Sequence, residues 1–317
     1  MENNYFASMR KSIAGIIIFI LIFAAVYWLT PGKVSIQQNS IVPVNIKAFS
    51  REISSEENWR QWWPGKQKSP ASFEYNGNTY TLTEKRLSSL VINISKENDS
   101  ISTELIFIPF ENDSTKLMWN DAEKPHLNPL SRLKSFSRSK NINADIHFLL
   151  NKIQSFYSNE DHVYSLHIKK DFVADSNFIF TSVTSSTYPT MNIVYKMVDK
   201  LKNYVQKNEA KETGYPMLNI HKNSDSSYLA RVALPVDKKL ADSGDIHYRW
   251  MLKGGNILVA EVKGGPHEIE KAFSKMADYI EDHGRVAPAI PFQSLITDRR
   301  QEADTNKWVT KVYWPVM

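Results

Sequence analysis

The chain has 317 residues, 42% of them hydrophobic and 23% charged, with a formal net charge of +5 and no cysteine. These proportions are those of globular protein, and the length allows two ordinary domains. Disulfides, cysteine-bound zinc and thiol nucleophiles are excluded, and the positive charge is spread without a Lys/Arg block, so no nucleic-acid partner is expected.

Ser12 to Leu29 forms an uncharged apolar run of about the 18 residues that a membrane-spanning helix needs, with Tyr27 and Trp28 suited to the interface. A cleaved signal peptide is the alternative, but no small-x-small site follows Leu29 before Pro31-Gly32. The expected arrangement is a cytoplasmic tail over 1–11, a transmembrane helix over 12–30, and a carboxy-terminal bulk outside the cytoplasm. Arg10 and Lys11 precede the span and only Lys33 follows it closely, which sets that orientation.

Beyond Val34 the pattern predicts an α+β domain to about residue 158. A strand is expected over Ile41 to Phe49, then a short helix carrying Trp59, Trp62 and Trp63 on one face. Packing against a sheet is the plainer role for these rings, and ligand stacking the other. Tyr80 to Leu82, Leu90 to Ile94, Thr103 to Pro109 and Lys116 to Trp119 read as strands. Ile142, Ile146, Leu149, Leu150, Ile153, Phe156 and Tyr157 keep helical period and predict a closing helix. Trp59-Arg60-Gln61-Trp62-Trp63-Pro64-Gly65, the Ile108-Pro109 step, Ser114 to Trp119 and the late helix together resemble the START-like (SRPBCC, polyketide cyclase-like) helix-grip family. That resemblance implies a seven-stranded sheet around a carboxy-terminal helix, with a hydrophobic cavity.

The last half of the chain contains a repeat. Ile179 to Thr187 predicts a strand, Pro189 a corner, and Ile193, Val194, Met197, Val198, Leu201, Tyr204 and Val205 a helical stripe. Ile257 to Val262, Gly264-Gly265-Pro266, and Ile269, Ala272, Phe273, Met276, Ala277 and Ile280 repeat the unit, with Gly284 as a C-cap. Each copy continues through a Pro-led strand, Pro216 to His221 or Pro291 to Thr297, to a closing strand, Val232 to Val236 or Val312 to Val316. Two copies roughly 75 to 80 residues apart suit one domain built of two halves. Gly254-Gly255 is read as a hairpin turn between two apolar strands.

Thr213 to Met217, Lys263 to Pro266, Pro291-Phe292-Gln293 and the final Val312 to Val316 resemble the GyrI-like family, the effector-binding domain of AraC-type regulators, over 163–317. The resemblance implies a duplicated β-α-β-β unit that holds small, often aromatic or cationic molecules between its copies. Where many relatives have a glutamate after the Pro-aromatic pair this chain has Gln293, an amide that hydrogen-bonds without charge, which puts cation binding at that position in doubt.

The fold class expected is therefore α+β: a transmembrane helix, a START-like domain, then a duplicated GyrI-like domain. No metal or cofactor is expected, since the eight histidines show no ligand spacing, and no Gly-x-Ser-x-Gly elbow offers a serine nucleophile. Strand alternation puts Thr310, Val312 and Trp314 toward the helices and Tyr313 on the other face. Tyr313 is expected to meet Trp250 or Tyr248, Gln293 and Glu261 in a ligand groove; for each, a partly exposed sheet residue is the alternative. Capture of a small hydrophobic or aromatic molecule is the leading function. A hydrolase or cyclase using Glu261 with Tyr313 or Trp250 is the second, and an envelope scaffold with filled cavities the third.

Overall fold

The computed structural model describes residues 18, 25, 36–97, 99–111, 113–121, 129–174 and 176–317. Apart from Ile18 and Ala25, both helical, the expected tail and span over 1–30 lie outside the described residues. Among the described residues no helix is long and apolar enough to cross a membrane. The chain divides into two compact units, 1–159 and 160–317.

The first unit is a seven-stranded antiparallel sheet with helices. In chain order its elements are β1 (Gln37–Val42), α1 (Ile46–Ile53), α2 (Glu56–Trp62), β2 (Lys66–Ser69), β3 (Ser72–Tyr75), β4 (Asn78–Lys85), β5 (Ser89–Lys96), β6 (Asp99–Phe110), β7 (Ser114–Asp121) and α3 (Pro129–Tyr157). The sheet order is β1-β7-β6-β5-β4-β3-β2, a meander closed by the first strand. The strand expected over Ile41 to Phe49 ends at Val42. Pro43 and Asn45 follow, and the Asn45 side chain accepts the Lys47 N–H at 2.8 Å and caps α1. Trp59, Trp62 and Trp63 are all buried and pack on one another, Trp59 and Trp63 also pack with Phe73, and these two donate to backbone carbonyls, Ile53 O and Glu74 O. Their role is core packing. On α3, Ile142, Ile146, Leu149, Leu150, Ile153 and Tyr157 form the buried stripe. Asp145 on the same helix accepts hydrogen bonds from Asn76, Asn78 and Tyr80, which ties the helix to β4 and the turn before it.

The second unit contains α4 (Glu160–Tyr164), β8 (Lys169–Phe172), β9 (Asn177–Ser185), α5 (Met191–Lys207), β10 (Met217–Lys222), β11 (Tyr228–Pro235), β12 (His247–Trp250), β13 (Asn256–Lys263), α6 (Pro266–Asp282), β14 (Phe292–Leu295), a 3₁₀ turn (Thr305–Lys307) and β15 (Val309–Pro315). All its strand pairings are antiparallel, in the order β12-β9-β11-β10-β14-β15-β13-β8. The order is palindromic in its elements. One half runs β9-β11-β10, the other β14-β15-β13, and the strands that directly follow the two helices, β10 and β14, meet at the seam. This is the topology that two copies of strand-helix-strand-strand produce.

Both helices cover the same face of the sheet. Val194, Met197, Val198, Leu201 and Val205 of α5 are buried in a core with Ile179, Leu218, Val232, Leu234 and Leu295. On α6, Ile269, Ala272, Met276, Tyr279 and Ile280 are buried; Ala277, expected in that stripe, is exposed, and Tyr279 is buried in contact with Tyr164 and His283. Gly254-Gly255 is not a hairpin turn. β12 pairs with β9 and β13 with β15 and β8, so the segment links opposite ends of the sheet, and Gly254 takes φ +75° in a turn held by Gly255 N–H to Leu252 O.

Candidate functional site

Antiparallel register decides which side chains can meet. Thr181, Val232, Leu218, Gln293, Val312 and Ala260 stand opposite one another in turn across six strands. They share the face under the helices, because Leu218 and Val232 belong to the core that α5 covers. Gln293 lies in this row beside the seam, where an apolar residue would be the ordinary choice. Phe292 and Tyr313 pair on the other face and stack with ring centroids 5.1 Å apart.

A cavity of about 420 Å³ opens above the seam between the helices. Met191 from the start of α5, and Pro266, Ile269 and Phe273 from the first turns of α6, form its flanks; Leu218, Ile220, Gln293 and Trp314 come from the sheet. Tyr188 and Glu270 also line it, and Glu270 is exposed to solvent. The size suits a small organic molecule, and the lining is largely apolar and aromatic. Each half supplies a helix and a strand, so the cavity exists only because the unit is doubled.

Arg299 forms one side of this cavity and is only 7% exposed. The loop between β14 and β15 carries it, and its backbone N–H donates to Tyr195 Oη at 2.8 Å. Its Nη2 donates to Gln293 Oε1 at 2.8 Å and to Thr310 Oγ1 at 3.0 Å. The guanidinium lies over the Trp308 ring at 4.7 Å, while Nε is buried and donates to nothing among the described residues. Burial pushes the Arg299 guanidinium below its ordinary value, partly offset by the phenols of Tyr195 and Tyr188. The same burial raises both phenols.

The four residues expected to form one ligand site are not brought together. Gln293 faces the helix-side cavity; Tyr313 and Glu261 face the opposite side of the sheet. Glu261 is exposed and lies opposite Lys311. Trp250, 64% exposed, ends edge strand β12, with four strands between it and the Tyr313 strand. Tyr248, weighed as an alternative, donates to Asn177 Oδ1 at 2.6 Å. The exposed face has its own hollows. One of about 330 Å³ is lined by Phe178, Tyr215, Phe292 and Tyr313, and one of about 390 Å³ by Phe178, Phe180, Arg249 and Trp250. Arg299 was not foreseen: Asp298-Arg299-Arg300 reads as a solvated charged loop, and no periodicity singles out its middle residue.

No curated protein sequence matches the chain. Among solved structures, the crystal structure of the EcmrR C-terminal domain is 14% identical with a TM-score of 0.41, covering 48% of this chain and 98% of its own. The cryo-EM structure of an EcmrR–DNA complex is 14% identical with a TM-score of 0.42, covering 59% and 70%. A crystal structure of a hydrolase from Listeria innocua is 14% identical with a TM-score of 0.36, covering 47% and 91%. The family model of the GyrI-like small molecule binding domain matches residues 176–317 of this chain.

Proposed function

We propose that the GyrI-like unit captures a small apolar or aromatic molecule, without chemical conversion, in the cavity between α5 and α6. The observation that carries this reading is the 420 Å³ apolar space at the seam, walled by equivalent elements of both halves. A binding role without catalysis is favoured because the acid of the enzyme alternative, Glu261, stands exposed on the far face. A thermal-shift screen of the full chain against aromatic and lipid-like compounds tests it. Hits should be lost in Ile220→Trp, which fills the cavity, and retained in Tyr313→Ala. Loss on Tyr313→Ala instead would move the site to the hollow lined by Phe292 and Tyr313, which retains the ligand role expected of Tyr313.

Three further parts of the reading concern the rest of the chain. The run Ser12 to Leu29 supports a single membrane span with the bulk of the chain outside the cytoplasm. Retention of the full chain in carbonate-washed membranes, and its release on deletion of residues 1–32, is the expected result. Residues 34–158 are proposed as START-like, a reading supported by the seven-stranded sheet and the closing helix α3. No nucleic-acid partner is proposed, since the positive charge is dispersed along the chain.

A further inference from the structure

Resting on the reading of the helix-side cavity as a ligand site, we infer that its ligand is an anion with an apolar body, such as an aromatic or aliphatic carboxylate, received by the Gln293 amide in the field of Arg299. A guanidinium has only donors, so Gln293 must turn its carbonyl oxygen to Arg299, and the observed 2.8 Å bond is of that kind. The amide NH₂ is then left over. It donates to no described residue, is not sealed from the cavity, and belongs to a side chain that lines it. The open group is therefore a donor, held in place by a buried cation.

Arg299 supplies the charge. Among the described residues no carboxylate lies within ion-pair distance of it; its partners are an amide, a hydroxyl, a thioether and an indole face. Its neighbour Arg300, by contrast, is exposed and paired with both Asp298 and Asp199. A buried cation without a counter-ion makes the adjacent space favourable for negative charge, and the low dielectric there strengthens the effect. The first turns of α5 and α6, which also line the cavity, carry the positive ends of their helix dipoles. Among the described residues Glu270 is the one carboxylate in the lining, and it is exposed to solvent. A cation at this site would meet the NH₂ of Gln293 and the charge of Arg299.

Three probes of one shape separate charge from shape: 1-naphthylacetate, its neutral amide, and trimethyl(1-naphthylmethyl)ammonium, titrated calorimetrically into the full chain. The carboxylate should bind at least tenfold more tightly than the amide, and the cation more weakly than either. Gln293→Glu supplies Arg299 with the missing counter-ion and should erase or reverse the order, and Arg299→Gln should reduce the carboxylate to the affinity of the amide. Equal binding of all three, or preference for the cation, would overturn the anionic assignment while leaving the cavity a receptor. Failure of every probe to bind would overturn the receptor reading itself. A carboxylate preference unchanged in Gln293→Glu would overturn the site. The wild-type ratio decides the charge class even where a variant does not fold.

Discussion

Two adjacent arginines show how little a residue's identity says about its work. Arg300 lies in solvent with two carboxylates, and its hydrogen bonds hold the Asp298 carboxyl below the usual range. A lowered folded-state value means that this pairing stabilises the fold above the ordinary carboxylate pKa and is lost as pH falls through the folded one. Arg300→Gln should therefore destabilise the fold at pH 7, by less than about 1 kcal/mol for so exposed a pair, and the difference should shrink as pH falls through the folded Asp298 value. In the first unit, Asp145→Ala leaves the buried Asn78 amide and Tyr80 hydroxyl without their acceptor. Denaturant unfolding should show a loss of about 1–3 kcal/mol or more. Strand parity within β15 was readable from sequence: Val312 is buried on the helix side and Tyr313 faces away. The error lay in joining Gln293 to Tyr313. Residues on different strands share a face according to their pairing register, and a loop running from Ile296 to Trp308 hides that register from the sequence.

Helices were legible where capping chemistry brackets them. α6 starts with Pro266 in its first turn and ends before Gly284 at φ +57°, and both ends could be read from residue type alone. Gly284→Ala should cost about 1 kcal/mol in thermal unfolding, because a Cβ is strained in that left-handed conformation. α5 differs from its counterpart: Pro189 precedes the helix, and Thr190 caps it by accepting the Ile193 N–H. Thr190→Ala should destabilise by about 1 kcal/mol on the same measurement, whereas Pro189→Ala leaves the cap intact. Strands were harder. The apolar run from Ile41 to Phe49 has a strand-like composition, yet Asn45 offers a cap that makes its second part helical. Edge strands β8 and β12 are short and polar, and what holds them is the neighbour each extends, which a local pattern does not show.

At the scale of the chain, the duplication was the feature most visible in sequence, since both copies repeat strand, proline, helix and Pro-led strand in order. Its consequence, a single sheet closed across β10 and β14, follows from the two halves lying head to head. Leu218 is buried at that junction, and Leu218→Ala should cost about 2–5 kcal/mol. The loss should appear as a lowered unfolding transition in calorimetry.

Within each half the strands meet over long ladders, eight opposed residues between β9 and β11 and seven between β13 and β15. At the junction only Met217 with Ser294 and Leu218 with Gln293 are opposed, helped by Leu295 N–H to Pro216 O. The joint is thus the shortest ladder in the sheet, and two of its residues, Leu218 and Gln293, line the cavity. If the halves shift against one another, the shift should come at this short joint, with both longer ladders staying shut. Deuterium uptake at the Leu218 and Leu295 amides should outpace that at Val232 and Val312 in the empty protein, and slow when the space is filled.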